Sequence, residues 1–297
     1  MGWQQVTMPV GRFDAEALER ALLDAGAAAI SYTDAADEPI LEPLPGEAPL
    51  WHDARLSALF ADDLPYERIS LALVAELGAL PEGIDVELLP EREWEREWLA
   101  HFRPTDFGHG LWVAPHEVDV PAQSDATVLR LDPGLAFGTG THATTALCLQ
   151  RLAELNLENL RVLDYGCGSG ILAVAALLRG AELAIGQDID PQALTASKTN
   201  AQANGVLDRL QVSLPPQDDL VTEPVPLVIA NILAGPLIAL APRISQALQL
   251  GGRLLLSGIL DAQADSVRAA YEPWIEFEAP ARQDGWVLLE GTRRNGV

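Results

Sequence analysis

The sequence predicts an α/β protein built on a doubly wound, mostly parallel sheet, with a small α+β domain in front of it. Three observations carry that expectation. From about residue 125 onward, apolar strand signals alternate with helix signals. One of these strands runs into a glycine-rich turn and then a helix, Asp164-Tyr165-Gly166-Cys167-Gly168-Ser169-Gly170. The first ninety residues follow the order strand, helix, strand, strand, helix, strand, which suggests a ferredoxin-like sandwich.

In the N-terminal part, residues 3–10 alternate as a strand. Residues 14–25 place Ala17, Leu18, Ala21, Leu22 and Ala25 at helical spacing. Strands are expected at 28–32, 51–60 and 84–89, a helix at 66–77, and a polar, Pro-rich loop at 34–49. Residues 91–102 read as a charged helix with Trp94 and Trp98 on one face, the pattern of a packing surface between domains. A connector with its own short strand near 111–113 follows. The domains are therefore expected at 1–96 and 125–297, joined by 97–124.

In the larger part, strands are expected at 160–165, 183–189, 210–214, 226–232 and 253–257, with a closing pair at 274–279 and 285–291 joined by a turn. A helix is expected at 171–178. Asp190-Pro191 opens another, with the aspartate as cap and the proline at the first helical position. Gly235-Pro236 opens a third, expected to end at Gly251-Gly252.

Composition narrows the function. The 297 residues carry 43 acidic and 19 basic side chains, a net charge of −24. Such a chain repels nucleic-acid phosphates and attracts a basic partner. The acidity is densest in the first third. Two cysteines, Cys148 and Cys167, make no disulfide framework. The N-terminus lacks a signal-peptide pattern, and the most apolar stretch, 227–242, is too short to span a bilayer. The chain is expected in the cytoplasm, as a monomer, without membrane or direct nucleic-acid contact. The five histidines show no ligand spacing, so no metal is expected.

Four segments carry chemistry. The glycine turn lets a ligand approach main-chain atoms at the carboxyl end of a strand. As a dinucleotide fingerprint, Gly166 and Gly168 require Gly or Ala where Ile171 stands. The frame Gly168, Gly170, Ala173 does match, but sits one step further from the strand end. No Lys-Ser or Lys-Thr follows, against a P-loop. Asp188, at the end of the next strand, can accept both hydroxyls of a ribose, which dinucleotide and S-adenosylmethionine (AdoMet) sites share. Asn231, closing the strand at 226–232, could orient an incoming amine. The segment 132–145, with glycines around Phe137 and then threonines leading into a helix, suits a lid over a nucleoside. His142 there reads as a helix-start residue.

Together these four segments resemble the PrmA family, methyltransferases that modify large-subunit ribosomal protein eleven (L11). The match is most specific over 132–145, and Asp188-Ile189-Asp190-Pro191 and Asn231-Ile232-Leu233-Ala234 follow in the family's order. The resemblance covers essentially the whole chain. It implies a Rossmann-like, seven-stranded AdoMet-dependent methyltransferase sheet, with S-adenosyl-L-methionine as cofactor. It implies cofactor contacts at Thr145, Gly166, Gly168, Asp188 and Asn231, with Asn231 also the catalytic residue. It further implies methylation of lysine side chains and the N-terminal amine of a basic ribosomal protein, gripped by residues 1–96. Gln187 departs from the apolar residue usual before the acid. The rivals from other classes are a methyltransferase of RNA or of a small molecule, an AdoMet-sensing binding protein, and a nicotinamide oxidoreductase.

Overall fold

The computed structural model describes residues 2–35, 50–89, 103–116, 118–120, 126–131, 140, 142–215 and 223–295. The helix expected at 91–102 and most of the segment 132–141 lie outside them. The chain divides into two compact units, Met1–Trp94 and Glu95–Val297.

The first unit consists of β1 (Trp3–Pro9), α1 (Ala15–Ala25), β2 (Ala29–Asp34), β3 (Ala54–Ala61), α2 (Tyr66–Leu77) and β4 (Asp85–Leu89). The sheet order is β2-β3-β1-β4, and every pairing is antiparallel. Alternation along β1 and β3 sends Val6, Met8, Leu56, Ala58 and Phe60 to one face. There they pack with Leu18, Leu22, Ile69 and Leu73 of the two helices. Asp14 caps α1 by accepting from the Ala17 N–H at 2.9 Å, and Gly26 ends it in the left-handed conformation.

The second unit begins with β5 (Thr105–Asp106), β6 (Leu111–Ala114) and β7 (Thr127–Arg130), which form a small sheet of their own. Then come α3 (Ala143–Glu154), β8 (Arg161–Tyr165), α4 (Ile171–Leu178), β9 (Leu183–Gln187), α5 (Pro191–Ala203), β10 (Leu210–Ser213) and β11 (Val225–Asn231). The chain closes with α6 (Ala234–Ala239), α7 (Ala241–Ala247), β12 (Leu248–Leu260), α8 (Ala264–Tyr271), β13 (Ile275–Phe277), β14 (Ala281–Gln283) and β15 (Trp286–Arg293). The main sheet runs β10-β9-β8-β11-β12-β15-β13, seven strands on one path, with β14 paired to β15 as an eighth. β8 to β12 are parallel, and β15 enters antiparallel against β12. The order reverses between β8 and β11, the switch point at which open α/β sheets bind ligands. One apolar layer, with Leu149, Leu152, Val174 and Ile229, covers one face, and a second, with Leu237, Ile244, Val267 and Tyr271, covers the other.

Two expectations are corrected. The helix expected from Gly235 to the Gly251-Gly252 pair is two short helices, because Pro242 lacks the N–H that a continuous helix needs and instead sits in the first turn of α7. The glycine pair lies inside β12, where the register against β11 shifts between Val225 and Leu227. The closing pair of strands is three strands, with β14 and β15 joined through Asp284 and Gly285, both at positive φ.

Candidate functional site

At the carboxyl edge of the sheet, β8 ends in Tyr165 and the chain turns through Gly166, Gly168 and Gly170, with φ of 79°, 53° and 75°. Side chains rarely tolerate such angles, so glycine is the residue that makes this turn. The Gly166 and Cys167 N–H groups donate to the Gln187 carbonyl at 2.7 and 3.0 Å, which ties the turn to β9. Gly170 opens α4 without a side-chain cap of its own. Asp164, from within β8, supplies that cap by accepting from the Ala173 N–H at 3.1 Å. Its other oxygen, Oδ1, is buried without a partner, and burial pushes the carboxyl up to about 7.

The carbonyls of the turn are held from behind by α5. Ser197 donates to the Gly168 carbonyl at 3.0 Å, and the Asn200 amide donates to the Ser169 carbonyl at 2.7 Å. One turn further on, Asn204 exchanges two hydrogen bonds with the backbone of Arg130 in β7, at 2.7 and 2.8 Å. Sequence reasoning missed this polar stripe. Its signal is a helix in which Ser197, Asn200 and Asn204 occupy i, i+3 and i+7 on one face, where a packed helix would carry apolar residues.

Asp188 stands at the end of β9. Its Oδ2 accepts from the Gly168 N–H at 2.9 Å and its Oδ1 from the Asp190 N–H at 3.0 Å. Each oxygen retains a lone pair, and the side chain is only half-buried. Asp190 is spent as the cap of α5, accepting from the Gln192 N–H at 2.8 Å. Ile189, between the two acids, is 85% exposed, and Leu214, just past β10, is 51% exposed. The sequence reading passed over both. An acid able to take a diol, beside apolar side chains able to receive a purine, fits the adenosine portion of AdoMet.

Past the switch point, the Asn231 amide donates to the Thr145 hydroxyl at 3.2 Å. Thr145 is buried in the first turn of α3. The start of α3 is docked on three successive strand ends. Asn231 of β11 holds Thr145, Ser257 of β12 donates to the Thr144 carbonyl at 3.0 Å, and Trp286 of β15 meets His142 edge to face at 4.9 Å. His142 caps α3, with Nδ1 2.8 Å from the Thr144 hydroxyl. Burial pushes the Cys167 thiol up to about 12, so it stays protonated at neutral pH and is no nucleophile. Among the described residues, no group of His, Cys, Asp or Glu is placed to hold a metal ion, and no helix is long and apolar enough to cross a membrane.

The sequence-predicted residues Gly166, Gly168 and Asp188 thus meet on one side of the switch point, and Thr145 and Asn231 meet on the other. The Gly166 N–H is committed to Gln187, so the contact expected of Gly166 is one of close backbone approach.

A family model described as ribosomal protein L11 methyltransferase (PrmA) matches residues 2–294. A protein of that name from Ectopseudomonas mendocina is 50% identical over 300 residues, covering 99% of this chain and 100% of that one. Its counterpart in Azotobacter vinelandii is 48% identical over 299 residues, with 99% and 100% covered. The crystal structure of a ribosomal protein L11 methylase from Lactobacillus delbrueckii subsp. bulgaricus is 32% identical and superimposes with a TM-score of 0.60, covering 65% of this chain and 100% of that one. Matched over nearly its whole length, the chain belongs to the ribosomal protein L11 methyltransferase (PrmA) family and is an AdoMet-dependent methyltransferase.

Proposed function

We propose that this enzyme methylates lysine side chains and the N-terminal amine of ribosomal protein L11, in the cytoplasm and as a monomer. In this reading Asp188 takes the ribose hydroxyls, the Gly166–Gly168 turn lies along the cofactor, and Asn231 and Thr145 face the reacting end. The observation that carries it is the meeting of these groups at one sheet edge, with Asp188 anchored on the glycine turn and Asn231 on Thr145.

AdoMet supplies an electrophilic methyl group on a positively charged sulfur. The chain must present a neutral amine in line with that methyl, and placement supplies much of the acceleration. For a lysine of ordinary pKa, losing the proton at pH 7 costs about 4–5 kcal/mol, and for an α-amine about 1 kcal/mol. A site that strips water from the ammonium lowers the lysine cost. Thr145 fixes the plane of the Asn231 amide by accepting from it, which leaves Asn231 Oδ1 to receive an N–H of the amine. His142 is committed to capping α3 and packing on Trp286, so the proton leaves to water. The first unit supplies the grip on the substrate, and its acidity suits a basic protein better than nucleic acid.

Mass spectrometry of L11 incubated with the enzyme and AdoMet tests this. Mass gains in steps of one methyl are expected. They should disappear with Asp188→Ala, which also abolishes measurable AdoMet binding, and fall sharply with Asn231→Ala at saturating AdoMet. Removing residues 1–94 should retain AdoMet binding and lose the gains. Full turnover by Asn231→Ala would refute its role, and unmodified L11 with the intact enzyme would refute the substrate.

A further inference from the structure

We propose that the bulge of β12 at Ser257 and Gly258 positions Asn231, Gly258 by setting the backbone turn that carries it and Ser257 by holding the helix that bears its partner Thr145. The proposal rests on the reading in which Asn231 orients the acceptor amine.

β12 is paired on both sides, to β11 and to β15, and yet its register against β15 breaks between Leu256 and Ile259. A bulge interrupts ladder hydrogen bonds, and bulges concentrate where a strand must re-aim the chain beside a site. At this one Gly258 has φ +83°, and a Cβ there would lie 2.3 Å from the Ile232 carbonyl oxygen, 2.7 Å from its carbonyl carbon and 3.1 Å from its nitrogen. The bulge therefore brings the β12 backbone directly against the residue after Asn231. On its other side, Ile232 Cγ2 stands 2.2 Å from where a Gly166 Cβ would be. Ile232 is thus wedged between two left-handed glycines, one from the β12 bulge and one from the turn after β8. Neither gap has room for a methyl group.

The same bulge holds the other partner of Asn231. Ser257, fully buried beside Gly258, donates to the Thr144 carbonyl at 3.0 Å, and the next residue, Thr145, accepts from the Asn231 amide. Gly258 sets the turn and Ser257 sets the helix, so two adjacent residues of β12 fix both ends of the Asn231–Thr145 hydrogen bond. A regular strand would complete the sheet equally well. The bulge serves the site.

The test is Gly258→Ala in the full chain, read in two ways. The first is the Asn231 side-chain amide resonance in a nitrogen–proton NMR spectrum, identified by its absence in Asn231→Ala. The second is kcat on L11 at saturating AdoMet, with AdoMet affinity measured alongside. The amide resonance should shift, and kcat should fall about 100-fold, the scale of a misplacement of about 1 Å. AdoMet binding through Asp188 should persist. An unmoved resonance, or an unchanged kcat in a folded variant, overturns the proposal. If Gly258→Ala does not fold, Ser257→Ala decides by the same two readouts, because it frees the Thr144 carbonyl without altering the bulge backbone. The amide readout needs no methyl acceptor. An intact enzyme inert toward L11 would therefore refute the substrate while the resonance still judges Gly258.

Discussion

Replacing Asp164 by asparagine should remove most of the pH dependence of stability that this buried carboxyl imposes. The carboxyl is fully enclosed, with one oxygen accepting from the Ala173 N–H at 3.1 Å and the other without a partner. Burial is the largest cause of its rise from 3.8 to about 7, the Ala173 hydrogen bond opposes it, and the nearby Asp188 charge adds to it. Between those two values the folded chain keeps a proton that the unfolded chain has released. Stability changes with pH in proportion to protons bound unfolded minus protons bound folded, which is negative here, so this group's contribution falls as pH rises. The whole span corresponds to about 4 kcal/mol, and the part between pH 5 and pH 8 to about 3 kcal/mol. Asparagine keeps an oxygen for Ala173, places an amide where the orphaned oxygen stood, and does not titrate. Urea unfolding of both proteins without cofactor, at pH 5, 6, 7 and 8, reads the difference directly, since groups not coupled to Asp164 cancel. The variant should gain on the parent steadily up to pH 7 and level off above it. A difference that stays constant from pH 5 to 8 would refute the reasoning.

Asn200→Ala frees the Ser169 carbonyl and so loosens the glycine turn. The loss of one hydrogen bond, about 1 kcal/mol, should weaken AdoMet binding roughly five-fold in a calorimetric titration. Glu290→Gln breaks a charge cluster with little exposure, in which Arg151 of α3 grips both carboxylate oxygens at 2.6 and 2.9 Å and Arg253 of β12 pairs with Oε1. Glu154 still pairs with Arg151 and Glu278 with Arg253, so losing this shared carboxylate should cost about 1 kcal/mol, seen as a lowered thermal midpoint.

Much of the sheet was legible because strand and helix differ in period there. The helix expected at 171–178 is α4 residue for residue, and the Asp190-Pro191 signal opens α5 where expected. The place of Asp188 was legible too, since a strand that ends in an acid next to a glycine turn brings that acid to the sheet edge, where it accepts from the Gly168 N–H. The break at Pro242 and the length of β12 were not legible. An apolar run with paired glycines suits a helix end as well as a bulged strand, and only the neighbours β11 and β15 decide. Two further features also went unseen, the cap that Asp164 gives to α4 and the hold of Ser197 and Asn200 on the turn. Each joins segments distant in the chain through side chains that look ordinary in their own windows.

The reversal of strand order between β8 and β11 has a consequence for how such an enzyme can change. The groups proposed to take the cofactor's adenosine come from the segment 161–215, on strands lying to one side of the reversal. The strands that seat Asn231 and the start of α3 come from 223–295, on the other side. The two halves of the site therefore rest on different strands, hydrogen-bonded to each other in the sheet along the seam between β8 and β11, with Thr145 of α3 joining the second half from ahead of both stretches. A lineage can rework how the reacting amine is oriented by altering the later stretch while the earlier one keeps its own fold at the glycine turn.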